Sequence, residues 1–173
     1  GHRHHTRESL VAYAIETAPP ELHELIQRVA STIIALCEAN EFVDPARAAW
    51  IVDEEMTNLR LELPDEIRHQ ITHYVAHRLF DIDFRTRSLE WAVRWAERHR
   101  RSLRLYGRGW DNDPTFAPFA AGELAHGEDV RRAYRGARIA IQTIPSSVEH
   151  QRTFEALRSG ALPLLRETPR NFG

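Results

Sequence analysis

Residues 139–165 read IAIQTIPSSVEHQRTFEALRSGALPLL, and this stretch decides the expected fold. It opens with the short apolar run 139–141 and closes with a second apolar run at 161–165. Between them, an amphipathic pattern extends from Val148 to Ser159, and Gly160 stands where a glycine commonly follows a helix. Two apolar runs separated by one helix predict a strand–helix–strand unit with parallel strands.

The same alternation continues toward the amino terminus. Residues 103–106 and 119–124 are further short apolar runs, and residues 128–137 have the pattern of an amphipathic helix. We therefore expect an α/β fold in which residues 101–173 form a partial Rossmann-like parallel sheet of about four strands. The sequence reaches residue 173 in a loop after the fourth strand, so we expect this half to be incomplete at its carboxyl terminus.

Residues 1–100 have a different texture, because their apolar residues recur near the 3.6-residue period of a helix. Asp44 followed by Pro45 is typical of an N-cap and the first turn of a helix. None of the segments alternates with the two-residue period of a strand. We expect residues 1–100 to be a helical region, with helices at 21–40, at 44–61, after Pro64 and at about 86–100.

Charge is divided between the two halves of the chain. Residues 1–86 hold 8 arginines against 15 acidic residues, whereas residues 87–173 hold 15 arginines against 10 acidic residues. All 23 basic residues other than histidine are arginines, and the guanidinium group can grip a phosphate with two parallel hydrogen bonds. We therefore expect any anionic ligand to bind the second half.

Ligands of open α/β sheets bind beyond the carboxyl ends of the strands, so the segment after each of the four expected strands is a candidate, and two of these segments are the most informative. The first is the turn Gly107-Arg108-Gly109-Trp110 after the first strand, where two glycines permit close approach of the backbone to a ligand. An ordinary turn at the end of a strand is the alternative interpretation.

The second segment follows the third strand. Ser146 and Glu149 have the spacing of a capping box, and a helix that begins at this edge presents free N–H groups to a phosphate. His150 and Arg152 add donors in the first turns of this helix. Arg152 and Glu155 are also spaced as an ordinary surface pair on a helix, which remains the alternative for these two residues.

Five motifs occur in a fixed order: LYGRGW at 105–110, HGE at 126–128, YRGA at 134–137, HQR with FEAL at 150–157, and GALP at 160–163. Together they resemble the C-terminal, donor-binding half of GT-B-fold glycosyltransferases. Within that fold, they are most similar to the spore-maturation-type (CgeB-like) group. The resemblance covers residues 103–170, and the helical stretch 57–100 also resembles the segment that precedes this half.

The resemblance implies that the ligand is a nucleoside diphosphate sugar, held between two Rossmann-like halves. It implies that Glu155 bonds the ribose hydroxyls, that His150 and Arg152 face the diphosphate, and that the turn 107–110 lies beside the nucleotide. The donor-binding residues expected on this basis are Gly107, Arg108, Gly109, Trp110, Ser146, Ser147, His150, Arg152 and Glu155.

Two departures from the family pattern limit the expected activity. Many retaining members carry a second glutamate eight residues before the ribose glutamate, where this chain has Ser147. Residues 1–100 contain no counterpart of the acceptor-binding half, so we expect transfer to require a partner chain or a missing N-terminal half. The acceptor is unknown, and no catalytic residue is assigned. The alternative is a non-catalytic α/β binding or scaffold domain that contacts a protein partner through its helices.

His69, His73 and His77 recur every four residues, a spacing at which two histidines can bind a metal. A solvated polar face opposite the apolar stripe of the same helix also explains them. We therefore predict no metal site and no cofactor.

Neither a nucleic acid nor a membrane is expected as a partner. The isoelectric point is near 6.6, and strand alternation distributes the arginines around residue 104 over two faces. No apolar run approaches the roughly 20 residues of a membrane-spanning helix. The single cysteine, Cys37, and the absence of a signal-peptide pattern lead us to expect a cytoplasmic protein.

Overall fold

The computed structural model of the protein describes residues 6–145 and 149–167. The chain forms two compact units, and the division between them falls between Phe84 and Arg85. In the described residues the first unit is helical throughout, whereas the second contains both strands. The division lies inside a helix and precedes the change in sequence texture near residue 100.

Helices of the first unit begin where the sequence supplies caps. The side chain of Asp44 accepts a hydrogen bond from the Arg47 N–H at 2.7 Å, and Pro45 occupies the first turn, as predicted. Thr6 caps an additional helix that the apolar pattern did not predict. The helical elements are α1 (Arg7–Thr17), a 3₁₀ turn (Pro20–Leu22), α2 (His23–Glu38), α3 (Pro45–Leu59), α4 (Asp65–Ile71), a π-helical segment (Thr72–His77) and α5 (Arg78–Arg98).

The apolar stripes of these helices form one continuous core. Leu25 and Ile33 of α2 are fully buried together with Val52 of α3. Phe80 belongs to the same cluster and meets the ring of Phe42 edge to face, with the ring centroids 5.7 Å apart. The helices predicted at 21–40 and 44–61 are therefore confirmed, and their periodicity marks the face that is buried.

The second unit has a smaller core. Leu89 and Val93, on the part of α5 that follows Arg85, pack against Leu105 and Phe116. Its remaining elements are two 3₁₀ turns (Trp110–Asn112 and Ala117–Phe119), α6 (Glu128–Arg135), β1 (Ile139–Ile141), α7 (Gln151–Arg158) and β2 (Leu162–Leu164).

The predicted parallel sheet of about four strands is wrong. Within the described residues, β1 and β2 form a two-stranded parallel ladder, and the first two expected strands meet at one isolated bridge between Leu105 and Ala120. Gly107, at φ 128°, ends the first of these segments, and the turn at 117–119 replaces the start of the second. Segments this short offer too few ladder hydrogen bonds to extend the sheet. The described part of the chain is mainly helical, with a small α/β region formed by α6, β1, α7 and β2.

The two faces of the β1–β2 ladder differ. Ala140 and Pro163 lie opposite each other and face a small cavity that residues of α6 and α7 also line. Ile139 and Leu162, also paired, point to the other face, and both are exposed, as is Leu164. Parallel sheets are normally covered on both faces, so the described residues leave one apolar face of this sheet uncovered.

Candidate functional site

The turn at residues 107–110 has a structural explanation. Gly107 and Gly109 both adopt positive φ angles, of 128° and 85°, and the Trp110 indole N–H donates to the Tyr106 carbonyl oxygen at 3.2 Å. Trp110 also packs edge to face on Phe116, with the ring centroids 5.4 Å apart. A Cβ atom on Gly107 would lie 3.3 Å from the Trp110 Nε1. These contacts account for both glycines and the tryptophan without a ligand.

Arg108 lies exposed on the same turn and is paired with a carboxylate. Its Nε–H donates to Glu123 Oε1, and this hydrogen bond raises the pKa of the Arg108 guanidinium. An anionic ligand would have to compete with Glu123 for this arginine.

The helix at the second predicted segment begins later than the sequence indicates. The helix expected from Val148 is α7, which begins at Gln151, and its N-cap is His150. The His150 Nδ1 accepts a hydrogen bond from the Arg152 N–H at 3.2 Å, so the neutral ring carries its proton on Nε2. The predicted donor-binding residues Ser146 and Ser147 lie outside the described residues.

A small cavity of about 80 Å³ lies between α6, α7 and the covered face of the β1–β2 ladder. It reaches the carboxyl end of β1, which is the position predicted for a ligand. Gln142 and Thr143 follow β1 there, and the Gln142 Nε2 donates to the Thr153 Oγ1 at 3.4 Å. The lining residues are Tyr134, Ala140, Ile141, Gln142, Thr143, Arg152, Thr153, Ala156 and Pro163.

Two ionisable side chains, Tyr134 and Arg152, line this cavity, and Glu155 lies outside its lining but within electrostatic range of Tyr134. Burial raises the pKa of Tyr134, the Arg152 charge acts to lower it, and the Glu155 charge acts to raise it. Among the described residues no ion pair joins Arg152 to a carboxylate. Glu155 instead accepts a hydrogen bond from Gln151 Nε2 at 2.7 Å. The surface pair between Arg152 and Glu155, weighed from the sequence, is therefore not formed.

The two predicted segments are not brought to the same cavity. Arg152 lines it, whereas no residue of the turn 107–110 does. Sequence reasoning missed Tyr134, Gln142 and Thr153. Gln142 directly follows a predicted strand, and Thr153 shares a helix face with Ala156, so the sequence could have identified both as cavity-lining residues. Tyr134 opens the YRGA motif at 134–137, but neither the motif nor the amphipathic helix indicated a role for its side chain.

Residues 6–145 and 149–167 contain neither a metal-binding cluster nor a membrane-spanning helix. No group of three or more histidine, cysteine, aspartate or glutamate side chains is arranged there to hold a metal ion. None of the helices described there combines the length and the apolar content that crossing a bilayer requires.

Comparison with known proteins identifies no relative: no protein-family model, no curated protein sequence and no solved structure matches this chain.

Proposed function

We propose that residues 128–164 bind the diphosphate portion of a nucleoside diphosphate sugar, and that the chain serves as the donor-binding part of a glycosyltransferase. The observation that carries the proposal is the position of Arg152. It lies at the carboxyl end of a parallel strand, beside Tyr134, and it has no carboxylate partner among the described residues. A guanidinium group in this setting is suited to a phosphate.

The neighbouring groups fit the same ligand. The hydroxyl groups of Tyr134 and Thr143 can donate to phosphate oxygens, and the His150 Nε2–H is not consumed by its capping bond. Glu155 lies one helical turn beyond Arg152, where a carboxylate can accept hydrogen bonds from a sugar's hydroxyl groups. A cluster of donors followed by one acceptor matches a diphosphate followed by a ribose.

The size of the cavity limits what it can hold. Pockets for drug-sized ligands measure roughly 300–1,000 Å³, whereas this cavity measures about 80 Å³. It therefore holds a phosphate-sized group, and the nucleoside and the sugar extend along the surface. The proposed role is donor binding, and transfer to an acceptor requires residues beyond this unit.

Thermal unfolding with UDP, GDP and uridine tests the proposal. At a ligand concentration 100 times the dissociation constant, binding stabilises the folded chain by about 2.7 kcal/mol. UDP or GDP is expected to raise the midpoint, and uridine, which lacks phosphate, is expected to have little effect. Arg152→Ala should abolish the shift. Arg158→Ala removes the same charge from an exposed position on the same helix and should preserve the shift.

A second function, a non-catalytic domain that contacts a protein partner, is supported by a different observation. Trp91 and Trp95, four residues apart on α5, are 50% and 40% exposed. Exposed tryptophans are enriched at protein interfaces. Absence of any midpoint shift with UDP and GDP, in protein whose circular dichroism is that of the folded chain, would favour this second function over donor binding.

A further inference from the structure

A column of histidines occupies one side of the helical rod formed by α4 and the π-helical segment that follows it. The His69 and His73 rings are stacked with centroids 6.1 Å apart and an interplanar angle of 5°. The His73 and His77 rings are also 6.1 Å apart, at 16°. Three imidazoles are thus held nearly parallel along one line, with His69 and His73 exposed and His77 partly buried.

The π-helical segment explains why the column stays straight. In an α-helix, side chains four residues apart are displaced by about 40° around the axis, so such a column winds away. A π-helical turn is wider, since its hydrogen bonds close from residue i to i+5, and four residues then cover less than one turn. The segment Thr72–His77 therefore offsets the displacement that α4 introduces.

A carboxylate stands behind the last histidine of the column. The His77 Nδ1 lies 3.7 Å from the Asp81 Oδ2, one turn further along the rod. A carboxylate beside one ring nitrogen favours the proton at that nitrogen and leaves the other free to bind a cation. Histidines that ligate metals commonly have such a carboxylate beside their second nitrogen.

We propose that His73 and His77 form a two-histidine site for a divalent transition metal ion such as Zn²⁺, with Asp81 as a positioning residue for His77. Imidazole nitrogens suit Zn²⁺, Ni²⁺ and Cu²⁺, whereas Mg²⁺ and Ca²⁺ prefer oxygen ligands. The parallel rings must tilt toward each other to share one ion, and the exposure of His73 permits this rotation. Water or a partner molecule completes the coordination.

Isothermal titration with ZnCl₂ tests the site, with MgCl₂ as the control ion. The parent protein for the titration carries His2→Ala, His4→Ala and His5→Ala, because histidines near the amino terminus can also bind the ion. We expect Zn²⁺ to bind and Mg²⁺ not to bind. His73→Asn and His77→Asn each remove a ligand and should weaken Zn²⁺ binding at least about tenfold. Asp81→Asn removes the carboxylate beside His77 and should weaken it about tenfold.

His69→Asn is the matched control, since it removes an exposed histidine of the same column that lacks the carboxylate behind it. Its Zn²⁺ affinity should stay within about twofold of the parent, because the proposed ligands are intact. Absence of Zn²⁺ binding in the parent would overturn the proposal. It would equally be overturned if His69→Asn weakened binding as much as His77→Asn, or if binding survived the double variant of His73 and His77. Circular dichroism of each variant verifies that the helices are retained.

Discussion

The two units of this chain differ in how completely they bury their apolar side chains. In the unit of residues 5–84, amphipathic helices bury a continuous set of apolar side chains, and Leu25 is completely inaccessible to solvent. In the unit of residues 85–173, the β1–β2 ladder leaves Leu162 65% exposed. A helix forms its backbone hydrogen bonds within itself, whereas a strand depends on a neighbour distant in sequence. Local sequence patterns are therefore enough to form the elements of the first unit, whereas the strands of the second also depend on distant partners.

The largest expected difference between the units comes from shortening one leucine in each. Leu25→Ala should cost about 3 kcal/mol, because it leaves a cavity in a closed core. Leu162→Ala removes the same atoms from an open face and should cost less than about 0.5 kcal/mol. Urea unfolding would be followed by circular dichroism for the helices. Tryptophan fluorescence would report mainly on residues 85–173, where Trp91, Trp95 and Trp110 lie. Equal losses would mean that the face carrying Leu162 is covered in solution.

The next largest expected difference in unfolding free energy is between a buried ion pair of the first unit and an exposed ion pair of the second. The Arg7 Nη1 lies 3.0 Å from the Oδ1 of Asp83, whose side chain is almost fully buried, and removal of one member of a buried pair is strongly destabilising. Arg7 is itself one-third exposed, so we expect Arg7→Ala to cost about 2 kcal/mol in urea unfolding.

Arg94→Ala supplies the control for this pair. The Arg94 Nη1 lies 3.8 Å from the Glu90 Oε2, and both side chains are exposed. Such pairs on a helix contribute less than about 0.5 kcal/mol to stability. If Arg7→Ala cost no more than Arg94→Ala, Arg7 would not be compensating the buried charge of Asp83.

The third largest expected effect comes from backbone strain at a glycine of the second unit. Gly107→Ala forces a side chain onto a backbone at φ 128° and brings a Cβ within 3.3 Å of the Trp110 indole. We expect a loss of about 1.5 kcal/mol. Gly136, at φ −80°, meets only ordinary contacts, so Gly136→Ala should be neutral or slightly stabilising. Tryptophan fluorescence during urea unfolding measures both, and an equal effect of the two changes would contradict the role assigned to the 107–110 turn.

The smallest effect concerns pH. Because burial raises the pKa of Tyr134 above that of the unfolded chain, its contribution to stability is fully present below pH 10 or so and is lost as pH rises through the folded value. Calorimetric unfolding between about pH 9 and pH 11 should show a decline in stability that Tyr134→Phe reduces. Tyr106→Phe, at a tyrosine outside the cavity lining, is the control. An unchanged decline in Tyr134→Phe would contradict the placement of this ring.

Prediction from sequence succeeded where the determinants are local. Asp44 and Pro45 placed the start of α3 correctly, and Gly160 has the positive φ angle expected after α7. It failed for the sheet, because the apolar runs at 103–106 and 119–124 identify segments that can pair but not how far the pairing extends. Leu105 and Ala120 do meet in parallel, yet no ladder grows from them among the described residues.

For the candidate site, the sequence predicted the position of Arg152 but neither the cap of α7 nor the contribution of Tyr134. Arg152 lies at the expected edge of the ladder because helix periodicity and strand direction together fix its position. His150 serves as the cap of α7, a role that the sequence pattern gave to Ser146. Tyr134 comes from a preceding helix, and its approach to Arg152 and Glu155 depends on how α6 and α7 pack, which a single sequence does not specify.

The π-helical segment Thr72–His77 also decides where the rod that contains it can change length. Each residue of a π-helical turn covers less rotation around the axis than an α-helical residue, because the hydrogen bonds close from residue i to i+5. A chain one residue shorter within this segment can therefore revert to ordinary α-helical turns and keep the buried Leu79 and Phe80 facing the core. The same deletion in an α-helical part of the rod has no such compensation, and it would rotate every following side chain by about 100°.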